Sequence, residues 1–188
     1  MAKQYGMVID TTRCMGCQTC VVSCKISNNV PGELVWNRVV SHDGDTVYRP
    51  TGTFPNVKLT FRPELCNHCV NPACVVSCPT GAMAKCAEDG VVAVDAETCI
   101  GCGTCVAACP YGMPVLDEVA GKSTKCDLCH DRLNAGALPW CVQACPGEAR
   151  IVGDLSDPES EICKYIAAKG ATPLFPEYGT EPCVYVVG

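Results

Sequence analysis

Sixteen of the nineteen cysteines in this chain fall into four groups of four, and that spacing constrains its fold more than any other feature. Group one is Cys14, Cys17, Cys20 and Cys24, spaced C-x2-C-x2-C-x3-C. Group two, Cys66, Cys69, Cys74 and Cys78, lengthens the middle gap to x4. Group three, Cys99, Cys102, Cys105 and Cys109, returns to the first spacing. Group four, Cys126, Cys129, Cys141 and Cys145, has a middle gap of x11. Cysteine at about a tenth of 188 residues is far above ordinary usage. Such density leaves three chemistries: disulfides, zinc or iron–sulfur clusters.

Disulfide scaffolds are short secreted chains. Here the start, MAKQYGMVID, has no basic n-region, no apolar h-region, no cleavage site and no twin-arginine pair, so export on its own signal is not expected. Zinc sites combine two separated C-x2-C pairs. Three thiols on one tight loop, followed by C-P, suit the corners of a cubane better. In the run C-x2-C-x2-C-x3-C-P the fourth cysteine ligates the other cluster of a pair. Proline follows the fourth cysteine as Pro79, Pro110 and Pro146, whereas Lys25 takes that place in group one. Gly16, Gly101 and Gly103, between the ligands, allow positive φ and close backbone approach. Their N–H groups can then face cluster sulfides and tune potential. The cofactor expected from these residues is the 4Fe–4S cluster.

Only 6% of the chain is aromatic, so a large aromatic core is not expected and cofactors must organise the fold. The net charge of −6 comes without a polybasic tract, which argues against nucleic acid. Four loaded sites would add roughly −8. No run of 18 apolar residues occurs, so no transmembrane segment is expected. There is no glycine-rich phosphate loop and no H-E-x-x-H. Three histidines support no catalytic triad.

Strand-like runs precede the first three groups, at Tyr5–Asp10, Val57–Arg62 and Val91–Asp95. The x3 spacing covers about one helical turn. It predicts short helices at Val21–Ser23, Val75–Ser77, Val106–Ala108 and Val142–Ala144. An extended stretch is expected at Gly147–Val152. Residues 25–56, rich in proline and glycine, read as a loop-rich insertion with one hairpin. In the tail, Pro158–Lys169 reads as a helix capped by Asp157 and ended by Gly170, with the rest extended along the surface.

The motifs CMGCQTCVVSCK, CNHCVNPACVVSCP, CIGCGTCVAACPYG and KCDLCHDRLNAGALPWCVQACP resemble a known family over about Tyr5 to Val152. It is the iron–sulfur beta subunits of molybdopterin oxidoreductases of the dimethyl sulfoxide reductase type. The resemblance implies an α+β fold of two nested bacterial-ferredoxin-like units. Residues 1–30 with 116–152 would form the outer unit and 57–115 the inner one. An insertion at 31–56 and a tail at 153–188 complete the chain. It also implies four ligand sets with swapped fourth cysteines. These are Cys14, Cys17, Cys20 with Cys145; Cys126, Cys129, Cys141 with Cys24; Cys66, Cys69, Cys74 with Cys109; and Cys99, Cys102, Cys105 with Cys78. Spacing alone leaves a pairing of groups three and four open. Some relatives replace one ligand and carry a three-iron cluster; here all sixteen positions are cysteine, so four 4Fe–4S clusters are expected.

The function so implied is single-electron relay with no substrate chemistry of its own. One partner would be a large molybdenum or tungsten bis-molybdopterin catalytic subunit, the other a quinol-linked membrane anchor or a soluble redox protein. The alternative is a free-standing polyferredoxin-type carrier or redox regulator. Loading belongs in the cytosol, where thiols stay reduced. The resemblance leans toward later export alongside a signal-bearing partner, with a cytoplasmic location as the alternative.

Outside the ligands, His68 reads either as a tuner of the group-two cluster or as a partly exposed loop residue. Arg13, Lys85, Lys125 and Arg132 could donate to cluster-side carbonyls or lie solvated at the surface. Trp140 is placed to shield a cluster. Cys86, Cys163 and Cys183 read as buried thiols.

Overall fold

The computed structural model of the protein describes residues 2–41 and 44–188. Met1, at the edge of the expected outer unit, and His42 and Asp43, in the expected insertion, lie outside the described residues. Strand β1 (Tyr5–Asp10) leads through the first cysteine loop into helix α1 (Thr19–Ser27). Strands β2 (Asn37–Ser41), β3 (Thr51–Thr53), β4 (Asn56–Lys58) and β5 (Phe61–Leu65) come next. Then follow α2 (Ala73–Val76), β6 (Met83–Lys85), β7 (Val92–Val94) and α3 (Thr104–Ala108). After β8 (Val115–Asp117) and β9 (Lys122–Thr124) come α4 (His130–Asn134) and α5 (Trp140–Gln143). The chain ends with β10 (Arg150–Asp154), α6 (Glu161–Lys169), β11 (Thr172–Pro173) and β12 (Val184–Val187).

The elements are short because cysteine ligands interrupt them. Helices α2 and α5 are 4 residues each and cannot persist alone in water. Their place is fixed by packing: α1 lies against α5, and α2 against α3. The largest sheet has the order β10-β1-β12-β11. Its central strand β1 is buried at five of six positions and pairs antiparallel with β10, Val8 opposite Ile151. Burial on both faces explains why YGMVID does not alternate apolar and polar. Two-stranded sheets β2-β5, β3-β4, β6-β7 and β8-β9 complete the strand structure.

Three expectations change. The run Val57–Arg62 divides into β4 and β5, because β4 closes a local hairpin with β3 while β5 pairs with β2. The insertion is thereby tied to the strand before group two, with Val39 and Val40 buried. The cap of α6 is Ser160, whose hydroxyl accepts the Cys163 N–H, and Asp157 instead closes the preceding turn. Gly170 ends that helix in the left-handed region, as its sequence suggested. Finally, Val184–Val187 does not run along the surface. It inserts between β1 and β11, parallel to β1. Its four residues VYVV suit a strand covered on both faces.

Apolar packing forms three clusters, the third around Cys74, Met83, Val92 and Cys105. Ile162 and Ala171 pack with Val8 and Val187 under α6. The largest cluster joins Met7, Ile9, Leu65, Leu128 and Val184 with five buried cysteines. The core is thus built partly from the thiols themselves.

Candidate metal centres

All four cysteine loops share one backbone device. The residue just before the second cysteine has positive φ: Gly16 at 70°, His68 at 42°, Gly101 at 66° and Leu128 at 60°. Glycine is needed at two of these positions for space as well. A Cβ on Gly16 would lie 2.6 Å from the Phe61 ring, and one on Gly101 would run into the Gly121 carbonyl oxygen. His68 and Leu128 take the same conformation despite a Cβ, at a cost on the order of 1 kcal/mol. Backbone N–H groups point at sulfur both within such a turn, at Leu128, and from neighbouring segments. Leu128 N–H donates to Cys126 Sγ at 3.4 Å, Met83 to Cys78 at 3.4 Å, Ser123 to Cys99 at 3.4 Å and Ala149 to Cys145 at 3.3 Å.

The thiols converge across the groups. Cys14, Cys17 and Cys20 line a pocket together with Cys145. Cys126, Cys129 and Cys141 line one together with Cys24. Cys66, Cys69 and Cys74 line one together with Cys109. The remaining four, Cys78, Cys99, Cys102 and Cys105, are neighbours at one end. Cys99 and Cys105 both hydrogen-bond Ser123, and Cys78 lies near enough to Cys102 for their charges to repel.

Three pockets, each walled by four thiols and otherwise mostly apolar, fit a cationic inorganic core. Burial pushes the Cys74 thiol up to about 12 and the Cys24 thiol to about 11. Burial drives Cys126 well above the ordinary thiol value, with repulsion from Cys66, Cys24 and Cys141 adding to it. Four thiolates crowded in such a space need a positive centre. The two outermost thiols behave oppositely. Thr19 donors hold exposed Cys17 low, and Thr104 donors do the same for exposed Cys102.

Half-buried Lys85 and buried Lys125 donate to the carbonyls of the clustered cysteines. Lys85 Nζ donates to the Cys69 carbonyl at 2.8 Å, and Lys125 Nζ to the Cys126 carbonyl at 2.8 Å and to Val92 O. Arg13 instead pairs with exposed Glu148, and Arg132 stacks 3.7 Å over the Trp140 ring. Two further cations escaped the sequence reading. Lys122 donates to the Cys99 carbonyl. Arg150 is 3% exposed and sits among Cys20, Cys141 and Cys126, with one guanidinium nitrogen 3.3 Å from Asn37 Oδ1. Among the described residues no carboxylate pairs with it. Only its place at the start of β10, three residues before Gly153, could have drawn attention to it.

His68 is buried, which excludes the exposed reading. Its Nδ1 accepts the Val92 N–H at 3.0 Å, so Nε2 carries the proton and has no partner. Burial, with Lys125 and Lys85 nearby, lowers its pKa well below the usual imidazole value. It therefore acts as a neutral dipole beside the cavity, not as a cation. Cys183 is buried as expected, but Cys86 and Cys163 are half-exposed.

Comparison with known proteins agrees with this chemistry. The family described as 4Fe-4S dicluster domain matches residues 57–155, and the 4Fe-4S binding domain matches residues 11–33. The B subunit of the tetrathionate reductase of Salmonella typhimurium is 42% identical over 98% of this chain and 72% of its own length. The B subunit of the sulfite dehydrogenase of Allochromatium vinosum is 42% identical over 95% of this chain and 80% of its own. The corresponding subunit of the anaerobic dimethyl sulfoxide reductase of Escherichia coli is 42% identical over 84% of this chain and 77% of its own. The protein therefore belongs to the 4Fe–4S dicluster family and, within it, to the iron–sulfur subunits of such oxidoreductases.

Proposed function

We propose that this chain relays single electrons through four 4Fe–4S clusters for a catalytic partner that performs the substrate chemistry. The observation that carries the reading is the repeated pocket: three thiols from one group and a fourth from another, at three places. When bound, each cluster supplies a one-electron couple whose potential follows charge, burial and hydrogen bonds to sulfur.

Three linings support the sets Cys14, Cys17, Cys20 and Cys145; Cys24, Cys126, Cys129 and Cys141; and Cys66, Cys69, Cys74 and Cys109, while the proximity of Cys78 to Cys102 and the shared Ser123 partner of Cys99 and Cys105 support a fourth. They favour a nested arrangement, with groups two and three forming the inner ferredoxin-like unit and groups one and four the outer. On this reading residues 57–115 are inner, and 1–30 with 116–152 outer. The remaining segments, 31–56 and 153–188, then brace them through β2 and β12.

Neighbouring thiols suggest the order of the sets. Cys20 of the first set feels Cys141 of the second, and Cys126 of the second feels Cys66 of the third. Cys74 of the third packs with Cys105 of the fourth. The terminal sets contain the two exposed cysteines, Cys17 and Cys102, so electrons pass to and from partners there.

The catalytic partner is inferred from relatives named as one lettered subunit of a larger reductase or dehydrogenase, which favours this reading over a free-standing carrier. We infer a molybdopterin type for it, with a membrane anchor or soluble redox protein at the other end. None of the described helices is long and apolar enough to cross a membrane.

The test is anaerobic analysis of the isolated complex. About sixteen irons and sixteen acid-labile sulfides per chain are expected. Cys24→Ser should perturb the electron paramagnetic resonance signal of the same cluster as Cys141→Ser. An effect shared with Cys14→Ser instead would refute the swapped assignment.

A further inference from the structure

The loop after β6 carries a second kind of metal-ligand chemistry, away from the sixteen clustered thiols. Cys86 Sγ, an Asp89 carboxylate oxygen and a His130 ring nitrogen all lie within 4.8 Å of one another. They come from segments about forty residues apart, brought together where the 86–90 turn meets the start of α4. The exposed Glu88 carboxylate lies beside one member of the group, its Oε2 3.1 Å from Cys86 Sγ.

The donors are held in place. Gly90 N–H bonds the Cys86 carbonyl to close the turn, while Lys3 and Tyr5 N–H groups grip the Glu88 and Asp89 carbonyls. Asp89 is 6% exposed, and its Oδ1 is occupied by the Val91 N–H at 3.1 Å. Its Oδ2 is thereby aimed at His130 Nε2, 2.6 Å away. Cys86 and His130 stay partly accessible, which leaves a route in for an ion.

We propose that Cys86, Asp89 and His130 hold a zinc ion that staples the 86–90 turn to α4, with a water completing the tetrahedron. Thiolate, imidazole and carboxylate are all ligands that zinc accepts, and three protein ligands with a water in the fourth position is a coordination it adopts. Binding needs zinc–ligand distances of about 2.0–2.3 Å, so the Asp89–His130 hydrogen bond must open as both turn onto the metal. The Cys86 proton leaves to solvent as the thiolate binds. The ion would be held by the residue that follows Cys129 and so fix the loop that carries it. This site is independent of the relay reading, since it uses none of the sixteen cysteines.

The experiment uses the anaerobically purified, cluster-loaded protein, given one equivalent of zinc and then passed over a desalting column. Metal analysis should find about one zinc per chain with iron and labile sulfide unchanged. Zinc-edge X-ray absorption should show one sulfur at about 2.3 Å and three oxygen or nitrogen ligands at about 2.0 Å. Cys86→Ser and His130→Gln should each lower zinc affinity at least tenfold while retaining the full iron content. Absence of bound zinc, or zinc retained equally by both variants, would overturn the proposal. Zinc in an all-sulfur shell would do so too, and would count against the relay reading as well as this site.

Discussion

Arg150 carries the largest single electrostatic consequence of the fold. Its guanidinium is buried, its Nε has no partner, and its nearest charges are the thiols of Cys141 and Cys20. A buried cation without a carboxylate is costly unless anionic ligands offset it. It lies between the first two ligand sets and lines the cavity of the first. Removing a unit charge at several ångströms, with an effective dielectric near 20, changes the local energy by about 2–3 kcal/mol. Arg150→Met should therefore lower the reduction potential of the two adjacent clusters by on the order of 100 mV. Arg150→Lys should recover most of that shift. A redox titration followed by paramagnetic resonance decides it, and potentials unmoved in the methionine variant would contradict the charge argument. The sequence marked out the sixteen candidate thiols because their spacing repeats four times along the chain. It did not disclose Arg150, since nothing local separates a buried arginine from a solvated one. Nor could it say that His68 and Leu128 would adopt the left-handed turn that Gly16 and Gly101 adopt freely.

Among the elements, α6 and its sheet hold the two chain ends together. Asp10, at the end of β1, accepts from Thr12 N–H at 3.0 Å, Thr12 Oγ1 at 2.5 Å and Tyr165 OH at 2.5 Å. Burial alone would raise its pKa, but these donors outweigh burial and hold the carboxyl below its ordinary value. A carboxylate with a depressed folded pKa stabilises above the unfolded value and loses that contribution as pH falls below about 4. Asp10→Asn should cost about 1.5–3 kcal/mol at neutral pH. The loss should appear as faster amide hydrogen exchange in α6, and the gap from the parent should narrow as pH drops below about 4. Unchanged exchange in α6 would show that Tyr165 docks without this contact. The Gly170 stop of α6 was legible because positive φ selects glycine locally. The place of β12 was not, because VYVV is equally suited to an edge or a centre until its partner is known.

At the scale of the whole molecule, the apolar core is small and shares its centre with thiols. The largest cluster counts Cys20, Cys66, Cys69, Cys126 and Cys141 among its buried members. Stability then resides largely in the metal–sulfur bonds, as in other domains whose site forms only on folding. Stripping iron with a chelator under anaerobic conditions should abolish near-ultraviolet circular dichroism in a single transition, together with the protected amides of β1. A stripped chain that still melts cooperatively would mean that packing alone suffices.

The sequence by itself determined the chemistry: four thiol groups, turns beside the second cysteine, and helical turns of one cycle after the third. Those properties are local, set by spacing and by the φ range of single residues. Only the tertiary structure placed Cys145, Cys24 and Cys109 beside the loops of other groups, and β12 between β1 and β11. It alone also gathered Cys86, Asp89 and His130 and buried Arg150 between thiols. These are long-range contacts, fixed by how buried surfaces and charges fit together, and no short stretch of chain encodes them.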